Sequence, residues 1–148
     1  MQRLIVFTLS AFIAATASGA QAKDLKWGPA PPGLPAGAQF AVVKGDPGKA
    51  GEFIIRIKMP ADYAVPPHHH PTDEVVRVKS GTLNYGMGDM LDKTNAGTLS
   101  DPMTHVTMQA GMNHWVFTTA PAEVQVSGTG PFQIVYVNPK DDPRNAGK

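Results

Sequence analysis

Residues 68–79 read His68-His69-His70-Pro71-Thr72-Asp73-Glu74-Val75-Val76-Arg77-Val78-Lys79, and this stretch decides the fold. Successive side chains of an extended chain project from opposite faces. His68 and His70 therefore share one face, and His69 takes the other. Pro71-Thr72-Asp73 breaks the strand, and Glu74 opens the next one. Glu74 has the parity of Val76 and Val78, opposite to Arg77 and Lys79. A carboxylate on the apolar face of a strand is costly to bury unless something pairs with it. A metal ion shared with the two histidines would answer that cost.

The same period of two continues on both sides. Residues 53–59 place Phe53, Ile55, Ile57 and Met59 on one face, with Arg56 and Lys58 on the other. Residues 40–43 form a short apolar strand closed by the turn Gly45-Asp46-Pro47-Gly48. Leu83, Tyr85 and Met87 follow Gly81. Residues 104–108, 115–119, 124–127 and 132–138 bring the count to eight or nine strands. Parity turns His114, Val116 and Thr118 inward and Trp115 and Phe117 outward. No stretch keeps a helical period, so the expected class is all-β, a sandwich or barrel.

The chain divides into four parts. Residues 1–22 read as a secretory signal: Arg3, an apolar run over 4–15, and small residues at Ala20 and Ala22. The run is shorter than the roughly 20 residues a membrane-spanning helix needs. Cleavage would start the mature chain at Lys23, in the periplasm or outside the cell. Residues 23–38 form a Pro/Gly-rich arm, expected to lie extended on the barrel, pinned by Trp27 and Leu34. A lid or a dimer-swapping arm is the sharper reading of it, which leaves homodimerisation open. Residues 39–138 are the barrel, and 139–148 a polar tail expected to fray.

Composition excludes several functions. Removing Arg3 takes thirteen basic residues to twelve, equal to the twelve acidic ones, and neither sign clusters. Nothing therefore favours nucleic acid, or a membrane surface once the signal is gone. There is no cysteine, so a thiol nucleophile, a disulfide and a thiolate metal site are all ruled out. Gly48-Lys49-Ala50 lacks the Ser/Thr of a phosphate loop, and Gly86 and Gly88 lack the third glycine of a dinucleotide fingerprint. No Gly-x-Ser-x-Gly elbow supports a serine hydrolase.

His68-x-His70-x-x-x-Glu74 with Gly81 beyond it resembles the first signature of the cupin superfamily, and Gly111-Met112-Asn113-His114 resembles the second. The resemblance covers about residues 40–138. It implies a double-stranded β-helix, or jelly-roll, barrel in which His68, His70, Glu74 and His114 ligate one divalent metal. Asp62 stands where the first signature usually opens with glycine. Met103, Gln109 and Thr118 replace the usual Gly, Pro and Asn of the second. These departures fall on turns and strand ends, not on ligands.

Nitrogen and oxygen donors suit Fe, Mn, Ni, Zn or Cu. Four protein ligands on an octahedral ion leave two positions for substrate and for dioxygen or water. The expected function is a metal-dependent oxidoreductase of dioxygenase type on a small organic substrate, with Glu74 also a catalytic base. The alternative is a non-catalytic barrel that binds a small molecule or a metal. Packing histidines in an inert barrel would give the same residues. His69 is expected to face solvent or back up a ligand, and His105 to be structural, with a pocket acid or base as its other role. The methionines invite a copper-thioether reading, but core filling is the expectation.

Overall fold

The computed structural model describes residues 24–147, so the signal expected over 1–22 lies outside the described residues. Eleven strands are seen among them: β1 Gly28–Pro29, β2 Gln39–Lys44, β3 Gly51–Met59, β4 Ala64–His69, β5 Glu74–Ser80, β6 Leu83–Met87, β7 Gly97–Leu99, β8 Val106–Met108, β9 His114–Phe117, β10 Ala122–Gly130 and β11 Val135–Tyr136. They make two antiparallel sheets, ordered β1-β2-β3-β10-β5-β8 and β11-β4-β9-β6-β7. The period of two found the long strands. It missed β1 and β7, which are too short to show any alternation.

Register explains the core. Val124 of β10 lies between Ile57 and Val78, and Val126 between Ile55 and Val76. These rows face inward, and Leu83, Leu99 and Val65 of the other sheet complete the buried cluster. Ile55 is fully buried. Ile55→Ala should therefore cost about 2–5 kcal/mol, as such truncations do. Urea unfolding at constant m would measure it; a loss below about 1 kcal/mol would mean that the row is not packed.

β4 contains Pro66 and Pro67, which cannot donate to a ladder. They fall where the pairing with β9 shifts between Val65 and His68. The strand then resumes with His68 opposite His114 and Tyr136. Gly81 has a φ of 75°, and a Cβ there would come within 2.5 Å of the Pro121 carbonyl oxygen. That is why the turn after β5 needs glycine. Asp62 adopts a φ of 56°, so aspartate meets the left-handed demand usually placed on glycine in the signature. Thr118 donates from Oγ1 to the Pro60 carbonyl at 2.7 Å and accepts from the Tyr63 N–H at 3.3 Å, tying that turn to β9.

Four expectations change. Trp115 and Phe117 have outward parity but are buried, stacked at 6.2 Å. Gly86 sits opposite Trp115, and a Cβ there would collide with the indole, so the missing side chain makes room for the ring. The tail does not fray: residues 139–141 and 143–145 form 3-10 turns capped by Asn138 and Asp142. Arg144 donates to the Ile134 carbonyl at 2.8 Å and holds the tail to the barrel. Met87, Met90, Met103 and Met112 are exposed, so core filling describes only Met59 and Met108. His105 precedes β8 and is exposed; it has neither a core role nor a place in a pocket.

Candidate metal centre

His68 lies near the end of β4, His70 just past it, Glu74 at the first residue of β5 and His114 at the first residue of β9. Each sits where a strand of one sheet meets the interior, and all four are buried. His70 follows the strand directly and stays inside, held through its ring by the Gln133 carbonyl. Backbone closes the frame, with the Gly111 N–H donating to the His70 carbonyl at 2.8 Å. Gly111 makes that approach at a φ of 71°.

Each ligand histidine is fixed from behind. His68 Nδ1 lies 2.6 Å from the Pro66 carbonyl oxygen, His70 Nδ1 2.7 Å from that of Gln133, and His114 Nδ1 3.0 Å from that of Met112. A carbonyl only accepts, so each Nδ1 carries the proton and donates. Each Nε2 is then left with a free lone pair, the tautomer a metal-binding imidazole requires. One nitrogen from each of the three rings lies within 4.8 Å of the others. The Nε2 atoms of His70 and His114 are buried and make no hydrogen bond. Glu74 Oε2 stands 3.3 Å from the first and 3.5 Å from the second. Orphaned lone pairs beside a carboxylate are what a divalent cation would satisfy. The residues present fit the ion.

Electrostatics agree with that fit. Burial, then the neighbouring His114 and His70, push His68 down to about 3, so it is neutral and able to ligate. For His70, burial pulls downward, but the contact with Glu74 and the Gln133 carbonyl outweigh it and the net direction is up. Burial drives Glu74 up, yet His114 and His70 more than offset this and hold it well below the usual carboxylate range. In the absence of metal, the His70–Glu74 pair therefore shares the charge that an ion would otherwise neutralise.

The four side chains open on an interior cavity of about 40 Å³ whose other walls are apolar apart from Tyr63. Phe132 stacks on His70 at 5.0 Å, and Leu34 enters from the arm. His69 points the other way. Its Nδ1 lies 3.0 Å from Asn113 Oδ1, and Asn113 in turn donates to Asp89 at 2.6 Å. It braces the loop that leads to His114.

No family model matches the chain, and no curated protein matches it. The solved structures are informative. The polyketide cyclase RemF from Streptomyces resistomycificus aligns with a TM-score of 0.66 at 16% identity, over 82% of this chain and 86% of that one. An RmlC-like cupin from Ralstonia eutropha JMP134 aligns with a TM-score of 0.60 at 22% identity, over 80% and 71%. The chain has the cupin fold. The DMSP lyase DddQ from Ruegeria pomeroyi DSS-3 superposes on this chain with a TM-score of 0.60 at 21% identity, over 78% and 62%.

All four site residues expected from the sequence come together at one interior cavity of the barrel. Sequence reasoning missed the cavity's side walls. Leu34 lies in a segment with no alternation, the strand expected over 132–138 forms only at Val135–Tyr136 so that Phe132 enters from a loop, and the Gln133 carbonyl that orients His70 is backbone, which no side-chain pattern reports. Among the described residues no helix is long and apolar enough to cross a membrane.

Proposed function

We propose that this exported cupin is a metal-dependent enzyme of dioxygenase type acting on a small organic molecule in its interior cavity. The observation that carries the reading is the convergence of three carbonyl-oriented imidazoles and one buried carboxylate on an apolar cavity. A divalent ion held by His68, His70, Glu74 and His114 would supply Lewis acidity toward an enol, carboxylate or diketone oxygen and positions for dioxygen or water. Apolar walls formed by Val76, Val116 and Ile134 exclude bulk water and strengthen the interactions inside. In this reading Glu74 would double as the base, with Oε2 taking up and returning the proton.

The rest of the lining favours metal and oxygen chemistry over a paired acid and base. Tyr63 is the other titratable group there, and its hydroxyl donates to the Pro35 carbonyl at 2.7 Å. Burial pushes that hydroxyl up to about 12, which keeps it protonated and so unavailable as a base. RemF is a cyclase and DddQ a lyase, so catalysis has precedent on this barrel. A second reading, capture of a small molecule without turnover, draws on the small volume of the cavity. Export rests on the signal read over residues 1–22, and places the protein in the periplasm or outside the cell.

The test is oxygen uptake and product mass, with the Fe, Mn, Ni, Cu and Zn forms, against keto acids and diketones of increasing size, then catechols and flavonols. Uptake with a defined product from one of the smaller compounds supports the enzyme. Tight binding without product in every metal form leaves the capture module standing.

A further inference from the structure

Leu34 is the one side chain ahead of β2 that lines the interior cavity. It is buried although the arm around it runs over the surface. The carbonyls on either side of it are both held by barrel tyrosines. Tyr136 donates its hydroxyl to the Gly33 carbonyl at 2.8 Å, and Tyr63 donates to the Pro35 carbonyl at 2.7 Å. The Leu34 N–H closes a turn onto the Pro31 carbonyl at 2.9 Å. The backbone of this one leucine is thus clamped while its side chain reaches into the pocket.

We propose that Leu34 is the specificity-determining wall of the pocket, and that it restricts the site to molecules of a few heavy atoms. The proposal rests on the functional reading above, since it takes the cavity as the ligand site. The argument is one of size. Pockets for larger organic ligands run to about 300–1,000 Å³, against the 40 Å³ seen here. Most other walls belong to β3, β5, β9 and β10, whose ladders would break if they retreated. Phe132 comes from the loop between β10 and β11, but it is stacked on His70 and packed edge-to-face against Phe53, and its N–H donates to the Pro47 carbonyl. Tyr63 and Ile134 also lie outside the ladders, but the Tyr63 backbone is tied to Thr118 and the Ile134 carbonyl to Arg144; Leu34 is the wall that the arm alone supplies. Its truncation would enlarge the cavity without touching the donors.

Two probes separate the wall from the metal. Cobalt(II)-loaded protein is titrated with azide and with catechol, following the visible absorption of the ion. Metal-free protein is titrated with benzene by NMR, because apolar cavities of about 150 Å³ take it up. Wild type should respond to azide and not to catechol, and should not bind benzene. Leu34→Ala should keep the azide response, gain catechol by about 10-fold or more, since one methylene of fit is worth about 10–200-fold, and bind benzene. Leu34→Val should fall between them and covers a failure of the alanine variant to fold. Equal catechol affinity in wild type and variant, or no gain of either probe in both variants, overturns the proposal. Benzene binding gained without any cobalt response would uphold the wall while rejecting the metal reading.

Discussion

Replacing His68, His70 or His114 singly by alanine is expected to lose most of the metal affinity, while His69→Ala keeps it. Changes to groups that merely support a ligand typically cost about 10–100-fold in affinity, and removal of a ligand should exceed that. The reason is geometric. Three rings present one nitrogen each within 4.8 Å of the others, whereas the His69 ring is turned to Asn113 on the opposite face. His69 does brace the loop before β9, so a loss at the lower end of that range is compatible with its role. Competition against a chromophoric chelator gives the affinities. Similar losses in all four variants would mean that parity does not describe β4. Acid should weaken binding in the wild type as well. The pKa of His70 is raised by Glu74, so a proton competes for it as the pH falls through that raised value, and affinity should climb as the pH rises.

Glu74→Gln is expected to separate holding a metal from using it. The amide keeps the shape of the side chain, and three imidazoles remain, so part of the metal stays bound. What disappears is the negative charge 3.3 Å and 3.5 Å from two ligand nitrogens, together with the proton acceptor at Oε2. A positioned acid–base group is worth about 10²–10⁴-fold in rate, and turnover by metal-loaded Glu74→Gln should fall by that order. Single-turnover oxygen consumption at matched metal content is the measurement. Undiminished consumption would remove Glu74 from the chemistry and leave it only a ligand.

The ligand set was legible in the sequence because strand parity is a strict local rule. It put His68 and His70 on one face of their strand and Glu74 on the apolar face of the next, and the resemblance to the cupin signatures, with Gly111-Met112-Asn113-His114, supplied the fourth residue and the idea of one shared site. Parity also gave the right face for Trp115, but not its burial. That depends on Gly86 lying opposite it across β6 and β9, a pairing that local sequence does not reveal. The arm was opaque for a similar reason. Proline fixes its φ angles but gives it no period, so residues 23–38 marked Leu34 as an anchor on the barrel but not as a wall of the cavity. The tail carried a signal that went unread: Asn138-Pro139 and Asp142-Pro143 are each a capping side chain followed by proline, the pattern that opens a short helical turn. The methionines were misjudged because a thioether's location is set by tertiary packing, and four of them fall on loops and strand ends at the surface.

The central claim is that His68, His70, Glu74 and His114 hold one divalent ion. The most direct measurement is elemental analysis of wild-type protein and of His114→Ala, both produced from the full sequence and purified without added metal or chelator. The account predicts one transition-metal ion per wild-type chain and little or none in the variant. A wild-type protein that comes out metal-free, and then takes up none of Fe, Mn, Ni, Zn or Cu, would contradict it.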